Sequence, residues 1–135
     1  MRKTNKLISY AIVDRYFTFL DKHLKDIVEG HSQEFLTLKK ISNEIAISHQ
    51  HLIDTVKKST GKPPRYFYET KVLEEAKKML INQDMKPVIV AHALTYDPSN
   101  FSKFFKKCTG KTPGQYKQSI EFTENISLNR DLKNH

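Results

Sequence analysis

Cysteine is almost missing from this 135-residue chain, which has one such residue, Cys108, and no tryptophan. A single cysteine excludes an intrachain disulfide and a metal site built from several cysteines, and it fits a reducing cytoplasm. No apolar run approaches the roughly 20 residues that span a membrane, and residues 1–10 lack the apolar segment of a signal peptide. These absences predict a soluble intracellular chain with no membrane partner.

Motifs for catalysis and for cofactors are equally scarce. The chain has no phosphate-cradling glycine loop, no Ser/His/Asp order and no Cys/His motif. The six histidines are scattered, and His49 and His51 are two residues apart, so that on a helix they point to different faces and make a poor zinc pair. The sequence therefore predicts no enzyme, no cofactor and no metal site.

Positive charge, by contrast, is abundant. Lysine and arginine number 23 against 15 acidic residues, which gives a formal net charge of +8. Such an excess favours a polyanionic partner, although many basic proteins bind nothing in particular. Charge alone therefore does not identify the partner.

The most informative feature is an internal repeat in which the second copy follows the first by 49 residues. Six residues of the first copy recur at the same spacing in the second, namely Lys57, Lys58, Thr60, Gly61, Lys62 and Pro64 as Lys106, Lys107, Thr109, Gly110, Lys111 and Pro113. The apolar residues before them recur too, with Ile41, Ile45, Leu52 and Val56 matching Val90, Leu94, Phe101 and Phe105. Each copy has a short helix pattern, a break of about three residues and a second helix pattern, which together indicate a helix-turn-helix. Two such units in a small basic chain predict a protein that reads two adjacent turns of DNA.

The helix patterns predict an all-α chain of about seven helices, consisting of two helix-turn-helix subdomains joined by a long linker helix. Gly30 ends the first helix, and Gly61 and Gly110 are predicted C-caps. Thr37 and Ser48 are predicted N-caps, and either Asp97 or Ser99 caps a later helix. A last short helix begins at Pro113 and runs through Ile120. The predicted divisions are an N-terminal helix and connection (1–35), a first helix-turn-helix (36–62), a linker helix (63–83), a second helix-turn-helix with its closing helix (84–122) and a polar tail that frays (123–135).

An ordered set of motifs over residues 36–117, about three fifths of the chain, resembles the DNA-binding domain of the AraC/XylS family of bacterial transcription regulators. The motifs are Leu38-x-x-Ile41-Ser42-x-x-Ile45, Ser48-x-x-x-Leu52-x-x-x-Val56-Lys57-Lys58-x-Thr60-Gly61, Pro98-Ser99-Asn100-Phe101-Ser102-Lys103-Phe104-Phe105-Lys106-Lys107 and Thr109-Gly110-Lys111-Thr112-Pro113-x-x-Tyr116. The resemblance implies that a linker helix holds two units whose recognition helices enter successive major-groove segments. By that analogy, the recognition helices run from Ser48 to Ser59 and from Pro98 to Cys108.

A recognition helix must bury one face and present the other to DNA. The predicted inward residues are Leu52, Thr55 and Val56 in the first helix and Phe101, Phe104 and Phe105 in the second. The candidate DNA-binding residues are therefore Gln50, Ile53, Asp54, Lys57, Lys58, Ser99, Asn100, Ser102, Lys103, Lys106 and Lys107. Asn can pair with adenine, Lys can donate to guanine, and the paired lysines at each helix end can meet phosphates. The competing interpretation of these lysines is that they are solvated cations favoured by the helix dipole.

Asp54 departs from the basic or polar side chains usual in the family. Its carboxylate repels phosphates unless it accepts a hydrogen bond from a cytosine amino group or pairs with Lys57 or Lys58 one turn on. We favour the lysine pair, and we therefore expect the second unit to supply more of the affinity.

The turn of the second unit also departs from the family pattern. Thr95 stands where the family usually has glycine, and the stretch from Thr95 to Pro98 is one residue shorter. Because threonine tolerates positive φ poorly, we expect the shortened turn to keep φ negative at Thr95, and likewise at Ala46 of the first unit.

These observations predict a sequence-specific regulator of transcription that binds double-stranded promoter or operator DNA. RNA polymerase and an effector-binding or dimerisation domain absent from this chain are further candidate partners. The chain can be a free-standing regulator, a fragment of a longer one or a module controlled by a partner protein. The alternative function is a protein interaction module that kept the fold and lost specific DNA binding.

Two smaller points concern single residues. The first helix has an excess of apolar residues at Tyr10, Val13 and Phe17, which fits either a docking surface or extra core. Cys108 is predicted to fill the core rather than to sense oxidants.

Overall fold

The computed structural model describes residues 2–133, and it describes side chains for residues 6–126. This part of the chain contains seven α-helices and no strand, which confirms the all-α prediction. The helices are α1 (Arg2–Val28), α2 (Leu38–Glu44), α3 (His49–Thr60), α4 (Pro64–Ile81), α5 (Pro87–Ala93), α6 (Pro98–Thr109) and α7 (Pro113–Lys133). The chain forms two compact units, and the boundary between them falls inside α4, between Val72 and Leu73.

Three of the helices begin at the side-chain caps that the sequence predicts. The hydroxyl of Thr37 accepts from the Lys40 N–H at 3.2 Å, and that of Ser48 accepts from the His51 N–H at 3.2 Å. At the start of α6 the cap is Asp97 rather than Ser99, because the Asp97 carboxylate accepts from the N–H groups of the next turn. Each cap satisfies backbone donors that have no partner within the helix, and so fixes where the helix begins.

The core of the first unit lies between α1 and its helix-turn-helix. Buried residues of α1 pack with buried residues of α2 and α3, and the set comprises Ile12, Val13, Tyr16, Leu20, Ile41, Ile45, Leu52 and Val56. The Tyr16 hydroxyl donates to the Pro64 carbonyl at 2.7 Å and so ties α1 to the start of α4. Burial raises the pKa of Tyr16 far above its ordinary value.

The apolar excess of α1 is mostly core. Val13 is buried, and the Phe17 ring lies 4.8 Å from that of Phe67. Tyr10, in contrast, is exposed. The extra-core interpretation therefore holds for two of the three residues.

The core of the second unit is more aromatic. Its buried residues come from α4, α5, the C-cap of α5 and α6, namely Ala76, Met79, Leu80, Val90, Ala91, Leu94, Phe101 and Phe105. Tyr96 stacks on Phe104 with ring centroids 5.5 Å apart, and Tyr116 of α7 meets Phe105 edge-on at 5.3 Å. Ring contacts thus hold α6 to the preceding turn and to α7.

The last helix is longer than the sequence predicts. The prediction ended it near Ile120, whereas α7 continues to Lys133, so the predicted end is wrong. Residues 121–126 are all exposed, Phe122 and Ile126 included. A prediction based on the helical spacing of apolar residues misses a helical segment that has no buried face. Residues 134 and 135 of the predicted tail lie outside the described residues.

Both helix-turn-helix turns contain a residue with positive φ, which contradicts the prediction. The φ angle is +58° at Ala46 and +64° at Thr95. In the first unit the Ala46 N–H donates to Asn43 O and the Ile47 N–H donates to Ser42 O, and in the second Thr95 and Tyr96 repeat these bonds to His92 and Ala91. This pair of bonds is the Schellman helix end, which needs a left-handed residue just past the helix. The closing hydrogen bonds therefore override the preference of alanine and threonine for negative φ.

Glycine should stabilise these turns because it adopts positive φ without a Cβ clash. We expect Ala46→Gly and Thr95→Gly each to raise the free energy of unfolding by up to about 1 kcal/mol. The gain is limited because glycine also gives the unfolded chain more conformational freedom. Urea denaturation measures the change. Ala93→Gly, within α5, is the control and should destabilise by about 1 kcal/mol. A loss of stability in Thr95→Gly would show that its turn is not strained.

Candidate nucleic-acid interface

The two faces of α3 differ sharply. Leu52 and Val56 are fully buried and Thr55 is 7% exposed, whereas Gln50, Asp54, Lys57 and Lys58 are exposed and Ile53 is half-buried. At 3.6 residues per turn, the buried and exposed residues lie on opposite sides of the helix. The predicted inward and outward faces of α3 are confirmed, and the contact of the outward face with DNA stays a prediction.

Helix α6 has the same division. Phe101 and Phe105 are buried and Phe104 is half-buried, as predicted. The remaining predicted site residues lie outside this core: Ser99, Asn100, Lys103, Lys106 and Lys107 are exposed, and Ser102 is half-buried. The polar stripe of α6 thus runs along its whole length.

The repeat in the sequence is also a repeat in geometry at the ends of α3 and α6. Gly61 and Gly110 have φ of +79° and +82°, and both are the predicted C-caps. The Thr60 hydroxyl donates to the Val56 carbonyl at 2.6 Å and accepts from the Lys62 N–H at 3.1 Å. Thr109 makes the equivalent bonds to Phe105 and Lys111. The repeated Thr-Gly-Lys is therefore a helix stop, a role of the threonines that the sequence reasoning missed.

The lysine pairs at these helix ends are available to an anion. Lys57, Lys58, Lys106 and Lys107 are exposed, and no ion pair recorded for the described residues uses them. The negative end of the helix dipole favours cations at this position whether or not DNA is present. The helix dipole therefore accounts for lysines at these positions even without DNA. Their exposed ammonium groups can still contact phosphates.

The partner of Asp54 differs from the prediction. The Gln50 amide Nε2 donates to the Asp54 Oδ1 at 3.0 Å, and both side chains are exposed. Among the described residues no ion pair joins Asp54 to Lys57 or Lys58, so the predicted lysine pair is wrong. Side chains on a helix tilt toward its N-terminus, which brings the short Asp54 side chain over the turn that holds Gln50.

Cys108 is exposed, which contradicts its predicted place in the core. The three residues after Phe105 are all exposed, because the last turn of α6 runs past the aromatic core. Within the described residues, no cluster of three or more His, Cys, Asp or Glu side chains could hold a metal ion. No helix in that range is long and apolar enough to cross a membrane.

A protein-family model described as a helix-turn-helix domain matches residues 41–119, which is more than half of the chain and includes α3 and α6. The chain belongs to the AraC-type helix-turn-helix family. The match includes both lysine pairs and both left-handed turns. This AraC-type chain is accordingly a DNA-binding domain of the kind that transcription regulators carry.

Known proteins similar to this AraC-type domain agree with the family. The uncharacterized HTH-type transcriptional regulator YobQ of Bacillus subtilis is 34% identical over 97 residues, which are 69% of this chain and 39% of that protein. The chain thus spans about two fifths of the length of this curated relative.

Solved structures share the fold. The C-terminal domain of AraT, a response regulator from Geobacillus stearothermophilus, has a TM-score of 0.69 and 27% identity, covering 80% of this chain and 84% of that one. The DNA-binding domain of AdpA, solved in complex with a target DNA, has a TM-score of 0.63 and 18% identity, covering 77% of this chain and 94% of that one. The second likeness is evidence of fold alone.

Proposed function

We propose that this domain regulates transcription by binding duplex DNA in a sequence-specific manner, with α3 and α6 in adjacent major-groove segments. The observation that carries the proposal is the matched pair of recognition helices, each with one buried face, one polar exposed face and two exposed lysines in its last turn. The description of the Bacillus subtilis relative as a transcriptional regulator supports it.

The outward side chains divide into two roles. The lysine pairs Lys57–Lys58 and Lys106–Lys107 contact phosphates and so set the position of each helix, without reading sequence. Base edges are read by outward side chains that precede each lysine pair: Asn100 can pair with adenine and Lys103 can donate to guanine. Ile53 offers only apolar surface and suits a thymine methyl group.

The partners and location follow from this role. A DNA-binding regulator works in the cytoplasm, where promoter or operator DNA and RNA polymerase are found. An effector-binding or dimerisation domain is a further partner, since the chain spans only 39% of its curated relative. An interaction module that has lost DNA binding is not favoured, because the outward faces of α3 and α6 are polar and basic rather than apolar.

A salt titration tests the proposal. If roughly six phosphates are neutralised, a plot of log affinity against log salt for a duplex selected from random sequences should have a slope of about −5. The control is a scrambled duplex of the same length and composition, which should bind more weakly at every salt concentration. A slope near zero, or equal affinity for the two duplexes, would contradict sequence-specific binding.

A further inference from the structure

The two recognition helices carry opposite charges at one equivalent position. The 49-residue offset matches Asp54 of α3 with Lys103 of α6. Each is the sixth residue after its N-cap, Ser48 or Asp97, and both are exposed on the outward face. Two helices that dock in the same way would thus bring an acceptor to one part of the site and a donor to the other.

The surroundings of Asp54 strengthen its acceptor character. Gln50 donates one of its two Nε2 hydrogens to the Asp54 Oδ1, so the Asp54 Oδ2 is the carboxylate oxygen left to face a partner, beside the Gln50 amide oxygen and its second amide hydrogen. Since Asp54 also lacks a lysine partner among the described residues, its charge is not neutralised within the helix.

Only two bases offer a donor in the major groove, cytosine at its N4 amino group and adenine at its N6 amino group. In adenine the acceptor N7 lies beside the amino group, so a carboxylate that accepts from N6 brings its negative charge close to a second acceptor. Cytosine presents no acceptor beside its amino group on this edge. Guanine and thymine present acceptor oxygens, which a carboxylate repels.

We propose that the Gln50–Asp54 pair makes the first recognition helix select cytosine, with the Asp54 carboxylate accepting from the cytosine N4 amino group. This assignment rests on the proposed function and adds the base class that the first unit reads. Asp54 is then a specificity residue of the site, and the opposite charge at Lys103 directs the second unit to guanine.

Selection from random duplexes by the whole chain and three variants tests the assignment. The wild-type chain should select cytosine at one position, and Asp54→Ala should lose that preference by about tenfold, near the low end of the 5- to 150-fold expected for a base contact. Lys103→Ala, the matched control at the equivalent position, should keep the cytosine and lose a guanine elsewhere. Asp54→Lys should change the selected base from cytosine to guanine, a change that a purely structural role of Asp54 could not produce.

A duplex in which the selected cytosine lacks its exocyclic amino group locates the contact at one atom. Wild type should bind this duplex about tenfold more weakly than the parent, whereas Asp54→Ala should bind both equally. Retention of the cytosine preference by Asp54→Ala, or an unchanged base in Asp54→Lys, would overturn the assignment while leaving the proposed function intact. Salt-independent binding without base preference in every variant would overturn both.

Discussion

Replacing Lys106 and Lys107 together with glutamine is expected to weaken DNA binding roughly 60-fold at about 0.1 M salt and to reduce the salt slope by about 1.8 units. The reason is counterion release, because each lysine–phosphate contact contributes about 0.9 to the slope for duplex DNA. Both lysines are exposed at the end of α6 and make no recorded ion pair within the described residues, so their removal should leave the fold unchanged. A binding titration at four or more salt concentrations measures both effects.

A charge-matched control separates phosphate contact from the overall charge. Lys22→Gln with Lys25→Gln removes the same two charges from exposed positions of α1. We expect this control to change the slope by much less than the α6 pair. Lys57→Gln with Lys58→Gln should resemble the α6 pair if both units meet phosphates. Equal effects of the α1 and α6 pairs would show that only net charge matters.

The repeat predicted much of the fold because its residues act locally. Ser48, Asp97, Gly61 and Gly110 determine helix ends by hydrogen bonds or φ angles within a few residues, so their roles can be inferred from sequence alone. The inward and outward faces of α3 and α6 follow from the 3.6-residue period for the same reason. Both predictions agree with the structure.

The predictions that failed depend on competition between local preferences. Threonine prefers negative φ, but the two backbone hydrogen bonds that end α5 require positive φ at Thr95. The structure has positive φ, so the hydrogen bonds outweigh the preference of the residue. At Asp54, candidate partners lie one turn away in both directions, and the tilt of the side chain favours Gln50 over Lys57 and Lys58. Contacts between residues far apart in the sequence could not be predicted either. An example is the hydrogen bond that the Tyr16 hydroxyl donates to the Pro64 carbonyl.

The sequence predicted which residues of the candidate site face outward, but not the hydrogen bonds between them. Nine of the eleven candidate residues are exposed and Ile53 and Ser102 are half-buried, because exposure follows from the helix period, whereas their contact with DNA stays a prediction. The sequence did not predict that Gln50 would bond to Asp54, which is the contact that turns a repulsive carboxylate into a candidate base reader. That contact depends on side-chain rotamers, which no spacing in the sequence specifies.

The largest change in stability is expected from Phe105→Ala. Phe105 is fully buried and packs edge-on against Tyr116, so its truncation removes apolar burial and leaves a cavity that costs about 3–5 kcal/mol. Native proteins have only about 5–15 kcal/mol of stability in total, so this substitution should remove a large share of the free energy of unfolding. Urea denaturation measures the loss.

The repeat supplies the matched comparison, because Val56 occupies the position in α3 that Phe105 occupies in α6. Phe105→Val places the first unit's residue in the second unit, where the rings of Phe101 and Tyr116 pack against the larger Phe105 ring. We therefore expect Phe105→Val to recover only part of the loss. Hydrogen exchange should show faster exchange in α5 and α6 of both variants than in α2 and α3, since the two units have separate cores. An equal increase in α2 and α3 would mean that the units unfold as one, and full recovery by valine would mean that the aromatic ring is not needed to fill the second core.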